Sequence, residues 1–151
     1  MYQISKDFTF AAAHRLDGLD DGHKCARFHG HNYLIRLEIS AVAADGLGDP
    51  GFVIDYGDLA PFGDWLDATF DHQWLGAGNV ALTSDDNTLA QVTKPVVEFN
   101  PTAENLAHYL LEWVATPGNI PGLSGLLHAS PWPVTLGVGV SETPKTWAWA
   151  R

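Results

Sequence analysis

Between Tyr2 and His14 the chain alternates between apolar and polar positions. Tyr2, Ile4, Phe8, Phe10, Ala12 and His14 share one parity, and only Lys6 breaks it. A period of two predicts a strand with one buried face, here closed by a histidine on its apolar side. Residues 29–42 alternate again, with Tyr33, Ile35, Leu37, Ile39 and Ala41 in phase and His29 and His31 sharing their parity. Gly46 to Gly51 supplies turn chemistry, and Phe52-Val53-Ile54-Asp55-Tyr56 reads as a short strand.

The period then changes to 3.6. Leu59, Phe62, Leu66 and Phe70 form the inward stripe of a helix predicted over roughly Asp58 to Phe70. A second helix opens at Thr102, a good N-cap, turns Leu106, Leu110, Trp113 and Val114 inward, and ends by Pro117-Gly118. Val134 to Glu142 and Thr146 to Ala150 read as closing strands. Residues 76–100 are the least patterned stretch, a loop with a strand expected at Val92 to Phe99. Strands dominate and helices are few, which predicts an α+β fold on an antiparallel sheet.

At 151 residues the chain fits a single domain, 1–151, large enough to bury a core. The formal charge of −10 argues against nucleic acid as a partner, because duplex binding rests on clustered Lys and Arg. Arg15, Lys24 and Arg27 do stand close together, compatible either with a small anionic ligand or with scattered surface cations. No apolar run approaches the roughly 20 residues of a membrane span, and the N-terminal residues lack a signal-peptide layout. The single cysteine, Cys25, cannot staple the fold, so a cytoplasmic location is expected.

The chemistry concentrates at the histidines. His29 and His31 lie two apart on one face of a strand, and His14 ends a second strand on its apolar side. Three imidazoles from two neighbouring strands, with a fourth position left open, form the donor pattern of catalytic zinc. His23, His108 and His128 lack such company and read as structural or exposed. Cys25 precedes His29 by four residues in a Gly- and Asp-rich loop. Beside Lys24 and a dication its thiol pKa would fall, fitting a general base or a fourth metal ligand; a small buried hydrophobe is the plainer reading.

Asp71-His72 follows the first helix and fits a proton relay if the imidazole faces the site, though helix-end Asp-His pairs are common. Glu142 falls on the apolar face of its strand, where a carboxylate must find donors, such as the N–H groups of a ligand, or remain protonated. Glu104, in the first turn of the second helix, suits the helix dipole.

Taken together, Phe10-Ala11-Ala12-Ala13-His14, Lys24-Cys25-Ala26-Arg27-Phe28-His29-Gly30-His31-Asn32-Tyr33, Asp71-His72, Pro101-Thr102-Ala103-Glu104-Asn105-Leu106-Ala107 and Glu142-Thr143 resemble the 6-pyruvoyltetrahydropterin and 6-carboxytetrahydropterin synthase family, in the family's order and over nearly the whole chain. The resemblance implies the tunnelling fold (T-fold), a four-stranded antiparallel sheet with two helices on one face. It also implies a homo-oligomer, commonly a hexamer of two trimers, with active sites between subunits. By motif match His14, His29 and His31 would hold Zn2+, Cys25 would be the base, and Asp71 with His72 a relay from a neighbouring subunit. Glu142 would grip the pterin, helped by the Thr102 region and Glu104.

The implied substrate is a pterin triphosphate, 7,8-dihydroneopterin triphosphate. Three residues between Cys25 and His29-Gly30-His31 resemble the carboxytetrahydropterin branch of queuosine and 7-deazapurine synthesis, a lyase activity that releases acetaldehyde and triphosphate. Animal-type pyruvoyl enzymes carry a longer gap, and folate-pathway relatives carry a glutamate near this loop, where this chain has Arg27. Two stretches depart from the family pattern: Asp71-His72-Gln73-Trp74-Leu75-Gly76, and the long segment from Gly76 to Asn100.

Overall fold

A computed structural model describes residues 1–20, 22–76, 80–82, 91–93 and 95–151. Strand β1 (Tyr2–His14) pairs antiparallel with β2 (His29–Ala41) along its whole length, from Tyr2 opposite Ala41 to His14 opposite His29. Helix α1 (Ala60–Phe70) follows a 3-10 turn at Tyr56–Leu59, and the short strand β3 (Gln73–Trp74) then returns parallel to β1. A two-stranded ribbon, β4 (Val80–Leu82) and β5 (Gln91–Thr93), precedes helix α2 (Ala103–Ala115) and helix α3 (Pro121–Ala129). Strands β6 (Val134–Thr143) and β7 (Thr146–Ala150) complete a five-stranded sheet in the order β3-β1-β2-β6-β7.

The in-phase residues of the alternating strands are the core. Phe10, Tyr33, Ile35, Leu37, Ile39, Val138 and Val140 are buried on one sheet face, and α1 and α2 cover that face. Lys6, the exception in β1, escapes by donating its ammonium to the Tyr56 carbonyl. The two helices meet through a parallel stack of Trp65 on Trp113, with ring centroids 4.1 Å apart, and Leu66, Phe70 and Leu110 are sealed beneath. Each such side chain contributes about 1.5–3 kcal/mol by leaving water.

The α+β architecture and the four long antiparallel strands agree with the sequence. Four details differ. Phe52 to Tyr56 is not a strand: Val53 and Ile54 are buried, but Asp55 caps the following 3-10 turn by accepting the Gly57 N–H. A fifth strand, β3, joins the sheet in the parallel sense, making it mixed. The strand expected at Val92 to Phe99 spans Gln91–Thr93, with Lys94 outside the described residues and Pro95 onward not extended into a strand. Helix α3 was not expected; Pro121 begins it, and Gly122 lets it approach Asp58, whose side chain a Cβ would meet at 2.7 Å.

Candidate metal centre and ligand pocket

The antiparallel register sets the site. Because His14 stands opposite His29 and Ala12 opposite His31, both in-phase histidines of β2 face the end of β1. A close approach at Gly30 keeps the strands together, since a Cβ there would come within 3.0 Å of the Ala12 carbonyl. One ligand atom from each of His14, His29 and His31 lies within 4.8 Å of the others, and His14 is fully buried.

Backbone carbonyls decide which nitrogen each ring presents. Nδ1 of His14 is 3.1 Å from the Pro101 carbonyl, and Nδ1 of His29 is 2.7 Å from the Arg27 carbonyl. A carbonyl only accepts, so both Nδ1 atoms carry the proton and both Nε2 atoms carry the lone pair. Those two Nε2 atoms are 3.0 Å apart. The Nε2 of His31 is buried without a hydrogen-bond partner, which leaves its other nitrogen for the Glu142 carbonyl.

Burial disfavours the charged form of two of the three rings. Burial pushes His14 down to about 4, against the Pro101 carbonyl that would favour the charged ring. Burial likewise lowers His31, with His29 adding to the effect and the Glu142 backbone opposing it. Two lone pairs facing each other and a third left without a donor fit a cation, with carbonyl-fixed imidazoles as its ligands. The three-histidine group could therefore hold a metal ion.

Cys25 occupies the middle of a 3-10 turn, Lys24–Ala26, and is half-buried. Its N–H is accepted by Nδ1 of His23, and its carbonyl accepts the Leu16 N–H, which ties the turn to the end of β1. It stands outside the ligand-atom group. Asp71 and His72 lock onto β1: Ala11 donates its N–H to Asp71 Oδ1 at 2.9 Å, and the His72 N–H is donated to the Ala11 carbonyl at 2.6 Å. Asp71 Oδ2 takes the Nδ1 proton of His72 at 2.6 Å. These bonds, the Ala11 N–H first and then His72, hold the Asp71 carboxyl below its ordinary pKa.

His72 adopts φ 58°, a left-handed conformation uncommon for a residue with a Cβ. Its side chain is 82% exposed. His72 and His31 both line one open depression of about 410 Å³ on the sheet.

A second cavity, about 230 Å³, opens beside the metal centre and is lined by Thr102, Glu104 and Glu142 together with Leu16, Val140 and Trp147. Glu142 Oε1 is buried without a partner and lies 3.9 Å from His14 Nε2. Burial raises the Glu142 pKa; His29 opposes the rise and Glu104 adds to it. Thr102 caps α2 by accepting the Asn105 N–H. Of the residues singled out from sequence, His14, His29 and His31 form the ligand-atom group, His72 lines the open depression, and Thr102, Glu104 and Glu142 line the cavity, whereas Cys25 borders none of these and Asp71 is bonded to β1 and His72.

The profile of the 6-pyruvoyl tetrahydropterin synthase family matches residues 3–151. The chain belongs to this family. The 6-carboxy-5,6,7,8-tetrahydropterin synthase of Rickettsia conorii is 33% identical over 120 residues, covering 73% of this chain and 78% of that protein. The Haemophilus influenzae protein of the same name is 35% identical over 115 residues, covering 73% and 79%. The fold matches the 6-pyruvoyl tetrahydropterin synthase of Plasmodium falciparum with a TM-score of 0.70 at 19% identity, covering 99% of this chain and 96% of that one. Membership makes the chain an enzyme of tetrahydropterin synthesis and establishes the T-fold expected from its motifs.

Sequence reasoning missed Tyr33 and Pro101 as neighbours of His14. Tyr33 shares the parity of His31, which marks it as inward-facing, but nothing in the sequence reveals a contact with His14. No helix is long and apolar enough to cross a membrane among the described residues.

Proposed function

We propose that the protein is a zinc-dependent 6-carboxy-5,6,7,8-tetrahydropterin synthase. It would convert 7,8-dihydroneopterin triphosphate to 6-carboxytetrahydropterin, acetaldehyde and triphosphate, within queuosine and 7-deazapurine synthesis. The observation that carries the zinc assignment is the pair of lone-pair nitrogens, His14 Nε2 and His29 Nε2, 3.0 Å apart beside the unpartnered His31 Nε2. The relatives that bear the carboxytetrahydropterin name support the choice of product.

A zinc ion held by the three histidines supplies Lewis-acid polarisation of oxygen ligands. The chain's own residues do the rest. Glu142 anchors the pterin ring through its N–H donors, with Thr102 and Glu104 on the same cavity wall. Cys25, held by His23 and Leu16, takes and returns protons at the substrate side chain. His72, its Nδ1 proton fixed on Asp71, presents Nε2 outward as a relay.

The outward aim of His72 also supports an assembly in which the relay serves a neighbouring subunit's Cys25. Among the described residues β1 is paired on its outer side only at Ala12 and Ala13, by β3, and β7 closes the opposite side of the sheet. Open edges at both ends suit edge-to-edge joining of copies, as a hexamer of two trimers requires.

The test is incubation of the zinc-loaded protein with dihydroneopterin triphosphate and analysis of the products. Acetaldehyde with 6-carboxytetrahydropterin is the expected result. Formation of 6-pyruvoyltetrahydropterin without acetaldehyde would reassign the chain to the pyruvoyl branch, and no turnover of the pterin would leave a binding protein.

A further inference from the structure

Asn100 and Pro101, the two residues before Thr102, reach back to the end of β1. The Pro101 carbonyl accepts the Nδ1 proton of His14 at 3.1 Å. Three positions further on, the Asn100 side chain meets the main chain of Asp17 twice. Its Oδ1 accepts the Asp17 N–H and its Nδ2 donates to the Asp17 carbonyl, both at 3.0 Å. An amide carries an acceptor and a donor side by side, so it pairs with one residue's N–H and C=O as a neighbouring antiparallel strand would. A carboxylate, which only accepts, could satisfy one of the two.

Asn100 is itself held from α2. Its carbonyl accepts the Thr102 N–H at 2.8 Å and Nδ2 of Asn105 at 2.9 Å, while Thr102 caps the helix. The clamp is thereby fixed to the helix end that supplies Thr102 and Glu104 to the ligand cavity. Residues 14–17 are gripped at both ends, His14 by Pro101 and Asp17 by Asn100, and Leu16 lies between. Leu16 lines the cavity, and its N–H is the one donated to the Cys25 carbonyl at 2.8 Å. With the Cys25 N–H accepted by His23, both main-chain groups of Cys25 are committed, and the Leu16 bond joins its turn to the cavity wall.

We propose that Asn100 is a positioning residue that ties the Cys25 turn to the wall of the ligand cavity, acting through Asp17 and Leu16. This rests on the reading of Cys25 as the base for the pterin side chain. Asn100 lies outside the ligand-atom group and does not line the cavity, so its loss should spare metal and pterin binding and act on turnover. A small displacement of a reacting group caused from a distance can cost about 10²-fold in rate.

Asn100→Ala removes both ends of the clamp. In the zinc-loaded full chain, amide hydrogen exchange at Leu16 and Asp17 should speed up about tenfold over wild type, with zinc content unchanged. Turnover of dihydroneopterin triphosphate should fall about 10–10²-fold in kcat, with KM little changed. A clamp that only stabilised the fold would leave kcat of the folded protein at the wild-type value. That result, or unaltered exchange at Leu16, would overturn the proposal. Wild type that fails to turn over the pterin, or Cys25→Ala reacting at the wild-type rate, would instead strike the reading of Cys25 as the base, and Leu16 exchange would still decide whether Asn100 holds the turn. Should Asn100→Ala not fold, Asn100→Asp, which keeps the size and one acceptor, supplies the same readouts. Faster exchange at Leu16 with a reduced kcat is expected there, and a wild-type value of either would refute the proposal.

Discussion

His14 and His29 are direct partners across β1 and β2, and their Nε2 atoms stand 3.0 Å apart with both Nδ1 protons committed to backbone carbonyls. Such a pair is unfavourable unless something positive lies against it, because neither nitrogen has a proton to offer the other. His29→Ala and His31→Ala should each abolish stoichiometric metal. Metal analysis of the purified variants measures this, and full occupancy in both would dismiss the centre.

The metal-free protein should lose stability as the pH falls from about 6.5 towards about 4. His14 has an ordinary value of 6.5 and a folded value of about 4, so in that window the unfolded chain takes up a proton that the folded chain refuses. The unfolded state gains, by about 3 kcal/mol across the window. Melting temperatures at pH 7 and pH 4.5 for wild type and His14→Leu test the origin. An equal drop in both would acquit His14.

Glu142→Gln should weaken pterin binding by about 1–3 kcal/mol, because one acceptor oxygen becomes a donor facing donors. The buried, unpartnered Oε1 is the atom at stake. Calorimetric titration with a pterin reads the change, and equal affinity for both proteins would remove Glu142 from recognition.

Cys25→Ala should slow turnover about 10²–10⁴-fold, the usual contribution of a positioned base, while metal content stays at the wild-type level. Cys25 is outside the ligand-atom group, so the two properties separate. Turnover at the wild-type rate would exclude the thiol as the base.

Mixing Cys25→Ala with His72→Ala should restore part of the activity once subunits exchange. The motive is the exposed imidazole of His72, held by its Nδ1 on Asp71. Absence of recovery despite measured exchange would place both residues in one chain's site.

The sequence revealed the long strands because one face of each is buried, so every second residue reports its burial. The same parity sets His14, His29 and His31 on the apolar sides of two neighbouring strands. Elements stabilised by partners distant in sequence were invisible. β3 has two residues and pairs with a strand about sixty positions away, and α3 carries Pro121, Gly122 and Gly125, which read as a loop, while burying only Leu123 completely. Val53 and Ile54 are apolar because they fill the core from a loop, not because they lie in a strand. The site's supporting groups were hidden for another reason. Pro101, Arg27 and Glu142 act on the histidines through main-chain carbonyls, which every residue type possesses.

Those three carbonyls come from the beginning, the later middle and the end of the polypeptide. The ligands themselves are all encoded before residue 32, so a nascent chain emerging from the ribosome exposes the complete donor set early. The Arg27 carbonyl is made just before the ring it supports, whereas those of Pro101 and Glu142 follow much later, so the set of supports is whole only once residue 142 has emerged. The order of synthesis therefore separates the availability of the three ligands from the arrival of the last carbonyl that supports them.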